Sequence, residues 1–236
     1  MKKLCLWLIL SGIFYPALAS ADGVTANAGI VSEYVFRGLP QTDGRAAAQG
    51  GIEFTRGNIS VGTWVSMVKS ATTFTIDNSD PANPSLLPVS GNDGIEVDLY
   101  ASYGSTYKQI DWSIGATYYT YTDNFDDDYK EINLGAGWKW FTLDFAAGEW
   151  DAFAEPTQDY TFVSLTSEYR GIYVKLGDFS GDFGGSYIEA GFGSTLRLSG
   201  RDLFDYSISY VNSDQKLADD NYLLFGIVKS FDLFKN

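Results

Sequence analysis

The chain contains no histidine, and its single cysteine is Cys5. The missing histidine removes the usual general base for activating a serine or a water. It also removes the commonest transition-metal ligand. Cys5 lies in an N-terminal segment with the marks of a secretory leader: Lys2 and Lys3, a mostly apolar run from Leu4 to Leu18, and small residues at Ala17-Leu18-Ala19 and Ala19-Ser20-Ala21. Residues 1–21 are therefore expected to be cleaved, leaving 22–236 as one domain without a thiol, a disulfide or thiol chemistry. Long apolar runs are missing too: beyond the leader nothing approaches the roughly 20 residues a spanning helix requires.

Aromatic residues are abundant instead. They make up 16% of the chain, with 16 Tyr, 16 Phe and 6 Trp, while overall hydrophobic content is an ordinary 45%. Losing Lys2 and Lys3 with the leader takes the formal charge from −14 to −16, so phosphate repulsion argues against a nucleic-acid partner.

Period-two alternation runs through the mature segment. Ile95, Val97, Leu99 and Ala101 share one face of a strand, with Glu96, Asp98, Tyr100 and Ser102 on the other; Ile172–Gly177 and Ser186–Leu196 repeat the pattern. Twelve strands are predicted: Thr25–Gly38, Arg45–Thr55, Ile59–Val68, Gly94–Tyr103, Ile110–Thr122, Tyr129–Trp138, Trp140–Gly148, Asp159–Glu168, Gly171–Gly177, Ser186–Leu196, Leu203–Val211 and Tyr222–Phe231. The irregular stretch Lys69–Asn92 has room for another hairpin, so ten or fourteen strands stay open. A soluble sandwich would alternate similarly, but it explains neither the aromatic load nor strand lengths near the ~10 residues of a tilted membrane strand. An all-β, antiparallel up-and-down transmembrane barrel follows, because lipid leaves only helices and closed sheets with every backbone group satisfied.

Charge is segregated along the chain. Loops after odd-numbered strands carry Asp77, Asp80, Asp123, Asp126, Asp127, Asp128, Glu149, Asp151, Glu155, Asp178, Asp182, Asp214, Asp219 and Asp220, whereas the short turns after even-numbered strands carry Arg56, Lys108, Lys139, Arg170 and Arg201. With both termini in the periplasm, the short basic turns face inward and the long acidic loops face the medium. Asp126-Asp127-Asp128 reads as a solvated loop or as a divalent-cation site bridging to lipopolysaccharide phosphates.

Alternation also selects candidate lumen residues. Glu33 and Arg37, four apart on the first predicted strand, are expected to form a buried pair; Gln49 and Glu53 fall on the same face of the next. Glu96, Asp98, Asp111, Glu131, Asp144, Glu189 and Asp205 add an inward acidic set, against Lys175 alone. Rings of acids favour cations. No catalytic, cofactor or metal residue is singled out, and the strand glycines are read as permitting curvature or close packing in the lumen.

The segment Val31-Ser32-Glu33-Tyr34-Val35-Phe36-Arg37-Gly38-Leu39-Pro40-Gln41-Thr42-Asp43-Gly44, followed by Ala47-Ala48-Gln49-Gly50-Gly51-Ile52-Glu53, resembles the opening hairpin of the TorF-family porins of proteobacterial outer membranes. Ile95–Tyr100, Tyr118–Tyr121 and Lys229-Ser230-Phe231 are similar to later parts of that family, while Ala46 replaces its usual proline and Asp232–Asn236 extends beyond its terminal aromatic. The resemblance implies an outer-membrane barrel and porin. The expected function is passive diffusion of small solutes with a cation preference, in contact with outer-membrane lipid and lipopolysaccharide. The alternative is a non-conducting barrel whose acidic loops bind a surface partner, divalent cations or lipopolysaccharide. No enzymatic activity is expected, and the oligomeric state stays open.

Overall fold

The computed structural model of the chain describes residues 22–70, 72–77, 85–153 and 156–235. The expected leader (residues 1–21) and the loop acids Asp80 and Glu155 lie outside the described residues. The elements are β1 (Gly23–Val31), β2 (Val35–Phe36), β3 (Leu39–Pro40), β4 (Ala47–Arg56), β5 (Ile59–Lys69), β6 (Thr72–Asp77), β7 (Ser85–Ser90), β8 (Asp93–Tyr107), β9 (Ile110–Tyr121), β10 (Tyr129–Trp138), β11 (Phe141–Trp150), β12 (Gln158–Tyr169), β13 (Ile172–Gly181), β14 (Gly185–Leu198), β15 (Arg201–Ser213) and β16 (Asn221–Lys235).

Twelve of them form a closed antiparallel barrel, running β1-β4-β5-β8 through β16 and back to β1. The closing ladder pairs Val31 with Gly226 and continues to Gly23 opposite Lys235, with one register shift between Val24 and Thr25. No strand of the barrel is left with an open edge, which is what a sheet in hydrocarbon requires. The β2–β3 and β6–β7 hairpins form separate two-stranded sheets. Lys69–Asn92 thus does contain a hairpin, but the hairpin stays outside the barrel and the strand number remains twelve.

β8, β13 and β16 each run four residues past their predicted ends, and the first strand departs furthest from expectation. The first strand ends at Val31, seven residues before Gly38. Ser32 leaves the wall with its hydroxyl accepting the Phe225 N–H at 2.9 Å, and Arg37 (φ 49°) and Gly38 (φ 84°) take left-handed conformations that fold the chain back as β2–β3. Local alternation reads this stretch as extended; its aromatic residues instead find burial within the lumen.

Outside, the barrel presents Ile52, Phe54, Val61, Leu99, Ile114, Leu134, Leu143, Leu165, Leu176, Ile208, Phe225 and Ile227, all exposed. An apolar surface this extensive is one whose solvent is lipid. Tyr103, Tyr107, Trp112, Trp138, Trp140, Phe141 and Tyr169 form an aromatic belt near the short turns. Those turns are two residues long, as the pairs Arg56–Ile59, Tyr107–Ile110, Trp138–Phe141, Tyr169–Ile172 and Leu198–Arg201 show. By the rule that short turns face the periplasm, both described ends of the chain lie on that side.

Inside, glycine and tyrosine face each other across neighbouring strands: Gly62 opposite Tyr100, Gly148 opposite Tyr160, Gly177 opposite Tyr187 and Gly191 opposite Tyr173. Each ring lies over the bare glycine, leaving no room for a side chain there; a Cβ on Gly177 would sit 2.3 Å from the Tyr187 ring. Close approach explains these glycines, as the sequence suggested. Gly177→Ala is expected to cost about 1–3 kcal/mol through overpacking. Gly137→Ala, whose new Cβ would lie 3.8 Å from the Asp111 Cβ, should fall within about 0.5 kcal/mol of wild type in urea unfolding of the detergent-folded protein.

Candidate functional site: the occluded lumen

The loop from Ser32 to Ala46 enters the barrel instead of covering it. Tyr34 packs edge-on against Trp64 of β5 at 5.5 Å and donates its hydroxyl proton to Glu96 of β8 at 3.2 Å. Phe36 meets Tyr119 of β9 at 5.9 Å. The tip reaches the far wall, where the Gly38 carbonyl accepts the Ser213 hydroxyl of β15 at 2.6 Å. Opposite sides of the barrel are therefore joined across the lumen. Within the loop, the Thr42 hydroxyl accepts the Tyr34 N–H at 2.9 Å, and the Gln41 N–H donates to the Tyr34 carbonyl at 2.7 Å.

Arg37 occupies the centre of this plug. Its guanidinium donates two hydrogen bonds to Glu131 of β10, Nη1 to Oε1 at 2.5 Å and Nη2 to Oε2 at 3.0 Å, while the Phe36 and Phe162 rings lie 4.7 and 4.3 Å from its central carbon. Glu131 also accepts from Tyr160 Oη at 2.7 Å, Asn133 Nδ2 at 2.8 Å and Tyr119 Oη at 3.0 Å. The side chains of the pair are 2% and 0% exposed, so water does not reach them. Burying two charges is costly, and the bidentate fork together with three further donors offsets much of that cost.

Two apolar clusters fill the rest of this end. One joins Val35 to Phe162, Phe179, Tyr187, Val211 and Tyr222; the other joins Val31, Tyr34, Ala47, Trp64 and Val68. Trp64 and Val68 are fully buried. The extracellular half of the lumen is thus packed like the interior of a soluble protein, whereas the periplasmic half is lined by polar side chains.

Most predicted lumen residues do face inward. Gln49 donates to the Ser66 hydroxyl at 3.3 Å, and Glu53 accepts from Tyr100 at 3.1 Å and from Thr55 at 3.2 Å. Asp111 accepts from Thr106 at 2.8 Å, Asp144 from Ser164 at 3.0 Å, Asp205 from Thr195 at 2.5 Å and Glu189 from Tyr173. Lys175 is buried opposite Glu189 in the ladder. Glu96 and Asp98 are each 1% exposed, and neither Asp98 oxygen meets a donor among the described residues. The expected Glu33–Arg37 pair is absent: Glu33 stands in the turn after β1 and accepts the Gly44 N–H at 2.8 Å, while Arg37 pairs with Glu131. The two never share a strand face, because the strand ends before either of them. Tyr34, Phe36, Trp64, Tyr119, Tyr160 and Phe162 were not singled out as lumen residues; Tyr34, Phe36 and Tyr119 fall within the segments that carry the family resemblance, and the others had only a high aromatic content shared with the lipid-facing belt as a signal.

A half-buried carboxylate braces the plug from above. Asp214 accepts from the Ser186 hydroxyl and N–H, both at 2.9 Å, and from the Lys216 and Leu217 N–H groups at 3.0 Å. These donors hold its carboxyl below the usual aspartate range. Leu217, positioned by this turn, lies against Gly38, where a Cβ would be 2.7 Å from its Cδ2.

Residues 17–181 match a family described as a bacterial protein of unknown function (Gcw_chp). The chain belongs to this family. No curated protein matches it. Among solved structures, outer membrane phospholipase A from Escherichia coli is 11% identical over 96% of each chain, with a TM-score of 0.44. Salmonella typhi OmpF, in complex with daunomycin, is 10% identical over 88% of this chain and 97% of its own, with a TM-score of 0.40. Pseudomonas aeruginosa OccD3 is 11% identical over 91% of each chain, with a TM-score of 0.36. Likeness this distant carries nothing about substrate or activity. From its sealed ladder and apolar exterior, this Gcw_chp member is an outer-membrane barrel.

Two outcomes follow from the plug. Arg37→Ala leaves Glu131 buried without its cation and should destabilise the closed loop by about 3–5 kcal/mol, read as faster proteolysis within residues 37–45; the double change Arg37→Met/Glu131→Leu should recover most of the loss. Acid should also loosen the brace. Because the folded-state pKa of Asp214 is depressed, its contribution is complete above the unfolded value near ~4 and is lost as pH falls through the folded value. Hydrogen exchange at Lys216 and Leu217 should therefore rise in strong acid, and Asp214→Asn should show the faster exchange already at neutral pH.

Proposed function

We propose that the protein is a porin-like channel of the TorF type, closed at rest by its first extracellular loop and passing small solutes by passive diffusion when that loop withdraws. The supporting observation is that the plug belongs to a loop: β2 and β3 pair only with each other, so withdrawing them breaks no strand ladder of the barrel. The seat also holds buried carboxyl oxygens that lack hydrogen-bond partners among the described residues. Glu96 and Asp98 lie two apart beneath Tyr34 with no cation in salt-bridge range among the described residues, which limits the stability of the closed state. Once the loop has withdrawn and taken Arg37 with it, the lumen presents Glu53, Glu96, Asp98, Asp111, Glu131, Asp144, Glu189 and Asp205 against Lys175, a balance that favours cations. Catalysis is no part of this reading, since the chain has no histidine to serve as a base.

The packed extracellular half favours a second reading, a barrel that does not conduct and whose loops meet a surface partner or lipopolysaccharide. Planar-bilayer recording separates the two. Under the channel reading the wild type is mostly silent, and Arg37→Ala and Glu131→Gln raise open probability about tenfold or more. The open variants should be cation-selective, less so with added Glu53→Gln or Glu96→Gln. Persistent silence of both variants, inserted and folded, would leave the non-conducting barrel.

A further inference from the structure

Three consecutive periplasmic turns share one construction. Tyr107-Lys108, Trp138-Lys139 and Tyr169-Arg170 each place an outward aromatic as the last residue of a strand and a cation directly after it, at the adjacent hairpins β8–β9, β10–β11 and β12–β13. In every case the cation folds back over the ring, with Lys108 Nζ at 5.3 Å, Lys139 Nζ at 4.3 Å and the Arg170 central carbon at 5.2 Å from the centroid. The rings are 65%, 47% and 55% exposed.

Backbone conformation strengthens the case. Lys108, Lys139 and Arg170 have φ values of 56°, 55° and 55°, in the left-handed region where such turns favour asparagine, aspartate or glycine. Apart from the contact with its own ring, a long basic side chain gains nothing from that conformation, and none of the three has an ion-pair partner among the described residues. The nearest acids of these hairpins, Asp111 and Glu168, belong to the lumen-facing rows. Aromatic rings settle at the boundary between hydrocarbon and headgroups, and a cation held against such a ring stays at phosphate depth.

We propose that these three turns form a docking arc for anionic phospholipid headgroups of the periplasmic leaflet. The partner is identified by depth and charge: the arc borders the apolar barrel wall, and the acidic loops lie at the other end of the molecule. Each cation contributes attraction to an anionic surface, and three side by side favour an anionic over a zwitterionic lipid.

The test uses the full barrel in phosphatidylcholine vesicles, with spin-labelled phosphatidylglycerol or phosphatidylcholine reporting the lipid held at the protein surface. The wild type should prefer phosphatidylglycerol by about threefold or more. K108Q/K139Q/R170Q should bring the ratio near one with an unchanged unfolding midpoint, while K108R/K139R/R170K and Lys216→Gln at the opposite end should keep it. If the triple variant does not fold, the single substitutions should each lose part of the preference. A wild type without preference, or Gln variants that retain it, overturns the proposal. So would a triple variant that loses binding to isolated peptidoglycan while its lipid preference stays intact, since the arc would then face the cell wall.

Discussion

The β1–β16 ladder is the contact on which the rest of the molecule depends. Without it two strands would expose unpaired N–H and C=O groups to hydrocarbon, where each costs several kcal/mol. Closure also settles which way every side chain points. Alternate residues must face lipid, so Ile52, Leu99, Leu134 and Leu165 become the outer surface and their polar neighbours line the interior. The usual relation of a protein to its solvent is reversed on the outside, while polar groups such as Ser60, Ser66 and Ser164 are buried within.

That interior is narrow, and its two halves solve the filling problem differently. Towards the periplasm, hydroxyls and carboxylates satisfy one another across neighbouring strands, as Thr195 and Asp205 do. Towards the outside, an inserted loop supplies apolar mass and one buried guanidinium, that of Arg37. Tyrosine rings laid over glycines make the wall continuous, and two of those rings belong to the plug's surroundings: Tyr160 donates to Glu131 and Tyr187 packs beside Gly38. Wall packing and plug seating therefore share residues. The plug itself adds no rung to the barrel ladder, so the barrel can persist whether the loop is seated or withdrawn.

Charge is sorted by height as well as by face. Acids crowd the extracellular loops, where the protein's own donors take many of them: Asp126 accepts from Tyr129 and Trp150, Asp127 from the Phe153 N–H and Asp128 from Tyr118. Burial nonetheless pushes the Asp126 carboxyl above its ordinary range. The basic turns lie at the other end, beside the aromatic belt. Such a molecule has one orientation in the membrane that suits both ends.

Much of this was legible from residue order. A period of two assigns faces without any knowledge of neighbours, so the twelve barrel strands and the inward positions of Gln49, Glu53, Glu96, Asp98, Asp111, Glu131, Asp144, Lys175, Glu189 and Asp205 could be read directly. The same rule misplaced Glu33 and Arg37, because an extended pattern of alternating residues looks alike in a wall strand and in a hairpin that leaves the wall. Sequence alone determined the strand succession, the apolar outside, the acidic inside and the basic turns, all of which rest on local periodicity and composition. Only the tertiary structure decided that the lumen is closed, since Arg37 meets Glu131 across 94 residues of chain, and a contact of that kind exists only after the cylinder has formed and brought its opposite walls within reach of one side chain.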